Sequence, residues 1–300
     1  MCYDLQPDGK VVGRVIPTSE FSVPLKVLAP ATRAMAEAEL RNENATPFDL
    51  GIGPLIRARL LNHAYTAGAT LVVTMHHAVG DAWSQDVFMR DLHTAYLAAL
   101  ASKQPLWEPL PIQYADFSAW QQAQLAGQAG AELKAYWRGA LAGAPTLLNL
   151  PLDHPRSAQP SYVADTVRCD LPEGLLEALE ATAKHLHVNT LAVMLAALQA
   201  VLLRYSGGQN DLVVGVPVAG RDRPETQRLV GYFVQALPVR CEVPDGSTLA
   251  DMARNASKAT LGALSHSLLP LQHVVAASGI ERMPGANPLF QVRFGWRGPR

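Results

Sequence analysis

Apolar and polar positions along this 300-residue chain change rhythm several times. Residues 54–62, with Leu55, Ile56, Ala58 and Leu60, and residues 69–75, ending in Leu71-Val72-Val73-Thr74-Met75, predict neighbouring strands. Residues 83–100 then place Val87, Phe88, Leu92, Ala95, Tyr96 and Ala99 at helical spacing. Past a proline-rich turn at 105–111, two further helical stretches carry Tyr114, Phe117 and Trp120, then Leu133, Tyr136 and Trp137. Residues 150–160 hold three prolines in eleven positions, which suits neither a helix nor a central strand and predicts a linker.

The second half repeats the mixture. Residues 162–171 alternate like a strand, and 173–187 form an amphipathic helical pattern. Residues 190–205 read as a largely apolar, buried helix closed by Gly207-Gly208. Valine-dense 211–218 and residues 234–243 predict strands, 249–266 a helix, and 289–296 a final strand. The class expected is α/β, with a first lobe over 1–149, a linker over 150–160 and a second lobe over 161–300. A cleft is expected between the lobes.

Composition narrows the function classes. With 49% hydrophobic residues the chain can bury a sizeable core, and its net charge of −1 without a basic block argues against nucleic-acid binding. Cys2, Cys169 and Cys241 are scattered without metal-ligand spacing and fit a reducing, cytoplasmic setting. The longest nearly unbroken apolar run, 191–203, contains Gln199 and is too short to span a bilayer. The first ten residues resemble neither a signal nor a transit peptide.

Candidate chemistry concentrates in Met75-His76-His77-Ala78-Val79-Gly80-Asp81-Ala82-Trp83-Ser84, where a predicted strand turns into a predicted helix. Such a corner presents side chains while the scaffold fixes them, and an imidazole there can exchange a proton near neutral pH. A plainer reading makes one histidine a core residue and Asp81 a helix cap. On this motif alone both readings stay open. His185 and His187 end an amphipathic helix, where they favour its dipole. His266 and His273 lack a carboxylate close in sequence, so no metal site is expected there or at His76, His77 and Asp81.

Four later segments join this motif in order: Tyr114-Ala115-Asp116-Phe117-Ser118-Ala119-Trp120, 215–225 around Ala219-Gly220-Arg221, 230–240 beginning Val230-Gly231-Tyr232-Phe233-Val234, and Asn287-Pro288-Leu289-Phe290-Gln291-Val292. With Pro47-Phe48-Asp49-Leu50 and the linker, the set resembles the condensation domains of nonribosomal peptide synthetases, of the peptide-elongating type. That resemblance implies a chloramphenicol-acetyltransferase-like fold of two lobes with mixed sheets and a tunnel open at both faces. It implies amide formation between a donor thioester and an acceptor amine, each on the phosphopantetheine arm of a peptidyl carrier domain, beside an adenylation domain. No directly bound cofactor, metal, nucleic acid or membrane is expected.

Carried over residue by residue, His77 matches the catalytic histidine, as general base or as orienting group. His76, Gly80, Asp81, Ala82 and Trp83 match the loop that supports it, and Ser84 and Gln235 are tunnel candidates. The resemblance pairs Asp81 with an arginine of the other lobe, Arg221 first and Arg223 second. There are departures: Ala82 stands where the motif has glycine, which would cost about 1 kcal/mol if the position required positive φ, with Gly80 as a source of compensating freedom. Gln235-Ala236 replaces Asn-Thr, and 266–272 lacks the expected acidic residues. The family's first segment should precede Cys2 and its last strands should follow residue 300, so a fold incomplete at both termini is expected. Two alternatives stand beside the condensation enzyme: a free-standing acyltransferase using coenzyme A or one carrier-bound donor, and a catalytically silent carrier-docking module.

Overall fold

A computed structural model describes residues 1–159 and 163–296. They form two compact units. The first comprises Met1–Tyr114 together with Arg223–Phe233, and the second comprises Ala115–Asp222 and Val234–Arg300.

The first unit opens with an antiparallel hairpin of β1 (Cys2–Leu5) and β2 (Val11–Arg14). A three-stranded sheet follows in the order β3 (Leu25–Leu28), β4 (Ile56–Asn62), β5 (Ala69–Met75). β3 runs parallel to β4, and α1 (Arg33–Ala45) lies between them in the chain. β4 and β5 are antiparallel, with Ile56 opposite Met75 and Leu60 opposite Leu71. Thr32 caps α1 by accepting the Met35 N–H at 3.3 Å. α2 (Ala82–Leu100) follows the sheet.

Glu43 ties α1 to β4. It is 1% exposed and accepts from Arg57 Nε at 2.8 Å and from Arg59 Nε, while Arg59 Nη1 also reaches Glu39 at 2.8 Å. Arg57 and Arg59 are two apart on one strand and therefore share a face of the sheet.

In the second unit, α3 (Tyr114–Ala126, from Ala115 on), α4 (Gln128–Ala140), α5 (Leu175–Leu186), α6 (Thr190–Tyr205), α7 (Leu249–Ser265) and α8 (Leu271–Ser278) surround an antiparallel pair, β6 (Asp211–Val218) and β7 (Gln235–Glu242). Leu212 to Val216 of β6 are all buried, as a valine-rich strand covered on both faces should be. Leu195 and Ala196 of α6, Ala253 and Ala256 of α7, and Trp137 of α4 complete this core. Trp137 Nε1 donates to the His266 carbonyl at 3.0 Å, which satisfies the one polar atom of that buried ring.

Several expectations change. Helices α3 (from Ala115 on) and α4, assigned by sequence to the first lobe, join the second unit, where Leu125 of α3 and Leu133 and Trp137 of α4 pack on its core. Tyr162 lies outside the described residues, and 163–171 forms no strand; Val167 points to solvent. Among the described residues the last expected strand shrinks to one parallel bridge between Gly215 and Arg293, and Leu289 and Phe290 pack into the core. His187 does end α5, in the left-handed conformation at φ 56°. His266 stacks on Tyr136 with ring centroids 3.5 Å apart.

Among the described residues no single helix is long and apolar enough to cross a membrane. The α5–α6 pair passes on length and composition only, is bent by 100°, and sends Leu195 and Leu202 of α6 into the core.

The thiols differ in access. Cys2 and Cys241 are buried and Cys169 is exposed; burial pushes the Cys241 thiol up to about 11. A thiol reagent at pH 8 is therefore expected to label Cys169 alone in the native protein, with Cys2 and Cys241 reacting only on denaturation. Fast native labelling at Cys241 would contradict this packing.

Candidate active site

The histidine corner lies wholly in the first unit. β5 ends at Met75, and His76 enters a single 3₁₀ turn over His77–Val79 in extended conformation. Its backbone N–H donates to the Leu55 carbonyl at 2.9 Å, and its Nδ1 accepts the Ala78 N–H at 3.1 Å. A ring nitrogen that accepts carries no proton, so this contact holds His76 as the Nε2–H tautomer. The Phe48 ring meets His76 edge-on at 5.9 Å. Phe48 in turn lies under the Arg57 guanidinium, 3.7 Å from its centroid, and Arg57 also donates to the Thr46 and Pro47 carbonyls. Glu43, Arg57, Phe48 and His76 thus form one continuous line of contacts.

Asp81 is committed at every turn. It is 3% exposed, N-caps α2 by accepting the Ser84 N–H at 2.8 Å, and accepts the Phe233 N–H at 3.0 Å through its other oxygen. Helix capping and retention of the 223–233 segment are therefore both visible roles. Ser84, expected to line the tunnel, is instead fully buried. Its Oγ lies 2.8 Å from both Asp81 Oδ1 and the Gly231 carbonyl and accepts the Gly231 N–H at 3.0 Å. Trp83 Nε1 donates to the Gln227 carbonyl at 2.9 Å, pinning the same segment from the next helical position.

The glycine replacement is harmless to the backbone. Ala82 is the first residue of α2, and the only described non-glycine residues at positive φ are Ser102 and His187. Gly80 supplies no special freedom either: at φ −167° it is extended, and a Cβ there would run into the Met75 sulfur.

His77 differs from its neighbours. Its ring is exposed and meets Tyr232 edge to face, centroids 5.1 Å apart at 73°. Both line a cavity of about 580 Å³, a size suited to a small-molecule moiety. Tyr3, Tyr114, Val11 and Leu50 form the rest of its wall, with Ala78. Tyr3 donates its hydroxyl to the Ala78 carbonyl at 2.7 Å, and Tyr114 donates to the Tyr232 carbonyl at 2.8 Å. Burial raises the Tyr3 phenol above its usual value.

Sequence reasoning did not single out these tyrosines. Tyr232 and Tyr114 stand inside quoted motifs, so a signal existed for them. Tyr3 stands in a hairpin whose alternation is broken by Asp4. Arg221, 4% exposed, and Gln235, at the start of β7, belong to the second unit. Arg223 is exposed and its carbonyl closes the turn at Thr226. Among the described residues no three His, Cys, Asp or Glu side chains gather as a metal-ligand set.

Gly231 permits this packing. A Cβ there would collide with the Tyr114 ring and come within 2.9 Å of Phe233 Cε2. Gly231→Ala is expected to cost about 1–3 kcal/mol by overpacking and to shift Tyr114 at the cavity wall. Thermal unfolding reads the cost; an unchanged melting temperature would refute it.

Comparison with known proteins follows the same lines. A sequence model described as "Condensation domain" matches residues 1–297. Over 291 residues the chain is 39% identical to the phosphinothricin tripeptide synthetase PhsB of Streptomyces viridochromogenes, a match covering 96% of this chain and 24% of the synthetase. The solved X-domain from teicoplanin biosynthesis superposes with a TM-score of 0.87 at 26% identity, covering 97% of this chain and 65% of that one. A complex of the X-domain and OxyB from teicoplanin biosynthesis gives 0.81 at 28% identity, covering 91% and 60%. The chain therefore spans about a quarter of the synthetase and less than two thirds of either X-domain chain. With its match running from residue 1 to residue 297, the chain belongs to the condensation-domain family.

Proposed function

We propose that this chain forms the amide bond between two carrier-bound substrates of a nonribosomal peptide synthetase. One observation carries the reading: of the two adjacent histidines, His76 is engaged by its own loop while His77 is presented to the cavity. In the reaction the acceptor amine nitrogen attacks the donor thioester carbonyl. The C–N bond forms, the C–S bond breaks, and the thiol of the donor phosphopantetheine leaves. His77 orients the amine, takes up the proton that the nitrogen sheds and returns it to the departing sulfur, which leaves as the thiol. Donor and acceptor peptidyl carrier domains, supplied by an adenylation domain, are the partners this chemistry requires.

The pairing of Asp81 with Arg221 is proposed with it. Both side chains are buried, and a buried guanidinium is costly unless an anion offsets it. Arg221→Glu is expected to abolish folding or product formation; a variant that kept both would remove the pairing.

The deciding experiment supplies the full-length protein with aminoacyl donor and acceptor carriers and follows dipeptidyl thioester on the acceptor by mass spectrometry. A second reading, a silent docking module, draws on the similarity to an X-domain solved in complex with OxyB. Retained carrier binding with no dipeptidyl product would favour it.

A further inference from the structure

We propose that the cavity beside His77 selects for an uncharged, apolar or aromatic aminoacyl side chain, with Tyr3 and Tyr114 as its fixed walls and the rim at Val11 setting its polarity. The inference rests on the amide-forming reading and names the substrate class of the same site.

The described residues that line the cavity include no carboxylate, ammonium or guanidinium. Two of the three tyrosines have their hydroxyls committed to backbone carbonyls, Tyr3 to Ala78 and Tyr114 to Tyr232. Their rings therefore offer apolar surface to a ligand, and the hydrogen bonds at their tips fix where that surface lies. Tyr114 is fixed a second time by Phe233, whose ring meets it edge to face at 5.1 Å. A preformed apolar wall of this kind binds without first being ordered. A charged side chain placed there would lose its hydration and meet no opposite charge. A leucine or phenylalanine side chain would bury apolar area instead. The Tyr232 ring, beside His77, puts this selection next to the reacting atoms.

The same chemistry could reside on the donor or on the acceptor, so the test has two arms. The full-length protein receives a glycyl acceptor with leucyl, phenylalanyl, aspartyl or lysyl donors, then a glycyl donor with the same four acceptors, all on carrier phosphopantetheine. In one arm, leucyl and phenylalanyl substrates are expected to exceed aspartyl and lysyl substrates by about 10- to 100-fold in kcat/KM. Val11→Lys, on an exposed strand position, is expected to raise use of the aspartyl substrate in that arm and to lower use of the lysyl one. All four substrates accepted within about twofold in both arms, with product formed, would overturn the inference and leave amide formation standing. Selectivity unchanged by Val11→Lys would overturn its assignment to this cavity. No product from any pair, including glycyl with glycyl, would overturn the amide-forming reading and the inference with it.

Discussion

Replacing His77 with alanine is expected to slow amide formation by about 10²- to 10⁴-fold, the usual range for a positioned proton-transfer group. The measurement is single-turnover formation of dipeptidyl thioester with both carriers loaded to saturation. Because the His77 residue is exposed and, among the described residues, its ring contact is with Tyr232 at the cavity wall, thermal unfolding of the variant should match the parent. Equal rates from parent and variant would take His77 out of the mechanism.

The same position separates two ways of working. Glutamine at 77 keeps a hydrogen-bonding head of similar reach but does not take up a proton. If His77 chiefly orients the amine, His77→Gln should recover much of the rate; if it removes the proton, glutamine should be as slow as alanine. His76→Ala should behave differently from both. It removes the acceptor of the Ala78 N–H and the partner of the Phe48 ring, so it loosens the loop and lowers the melting temperature along with the rate.

What was legible in the sequence follows from how each segment is stabilised. β6 and α2 declare themselves through local signals: Leu212 to Val216 form one apolar run that is buried together, and Asp81 caps the helix that begins one residue later. Motif position placed the histidine corner between a strand and a helix, where β5 and α2 flank it. By contrast, α1 carries Ala36 and Glu43 as its only buried residues, so a reading that looks for an apolar stripe passes over it. The charge that anchors α1 finds its partners on β4, fourteen and sixteen residues away, and spacing cannot reveal that. Ser84, too, has partners that spacing does not reveal. Its position at the end of the motif suggested the tunnel, but Asp81 and Gly231 bind its hydroxyl from both sides. Tyr3 is held at the site by contacts remote in sequence, its N–H on the Leu50 carbonyl and its hydroxyl on that of Ala78, 75 residues on.

Glu43→Ala is expected to cost about 3–5 kcal/mol, the range for leaving a buried ion pair with one partner. The loss should lower the melting temperature by about 2–4 °C for each kcal/mol. Arg57 and Arg59 would remain largely desolvated with no shared carboxylate between them. Burial by itself would raise the Glu43 carboxyl, but hydrogen bonds from Arg57, Arg59 and Thr74 outweigh it and hold the group below its usual value. A folded value below the unfolded one gives stabilisation that is complete above the unfolded glutamate value of about 4.3. It is lost as pH falls from there through the lower folded value. Acid titration of stability should therefore show a steeper decline in the parent than in Glu43→Ala, and parallel acid limbs would count against the pairing. Replacing all three charges, as Glu43→Leu with Arg57→Met and Arg59→Met, should restore most of the lost stability, because an apolar cluster carries no desolvation penalty. It should not restore the rate of amide formation. Arg57 would no longer hold the Phe48 ring and the carbonyls of Thr46 and Pro47, and His76 would lose the neighbour that fixes its side of the loop.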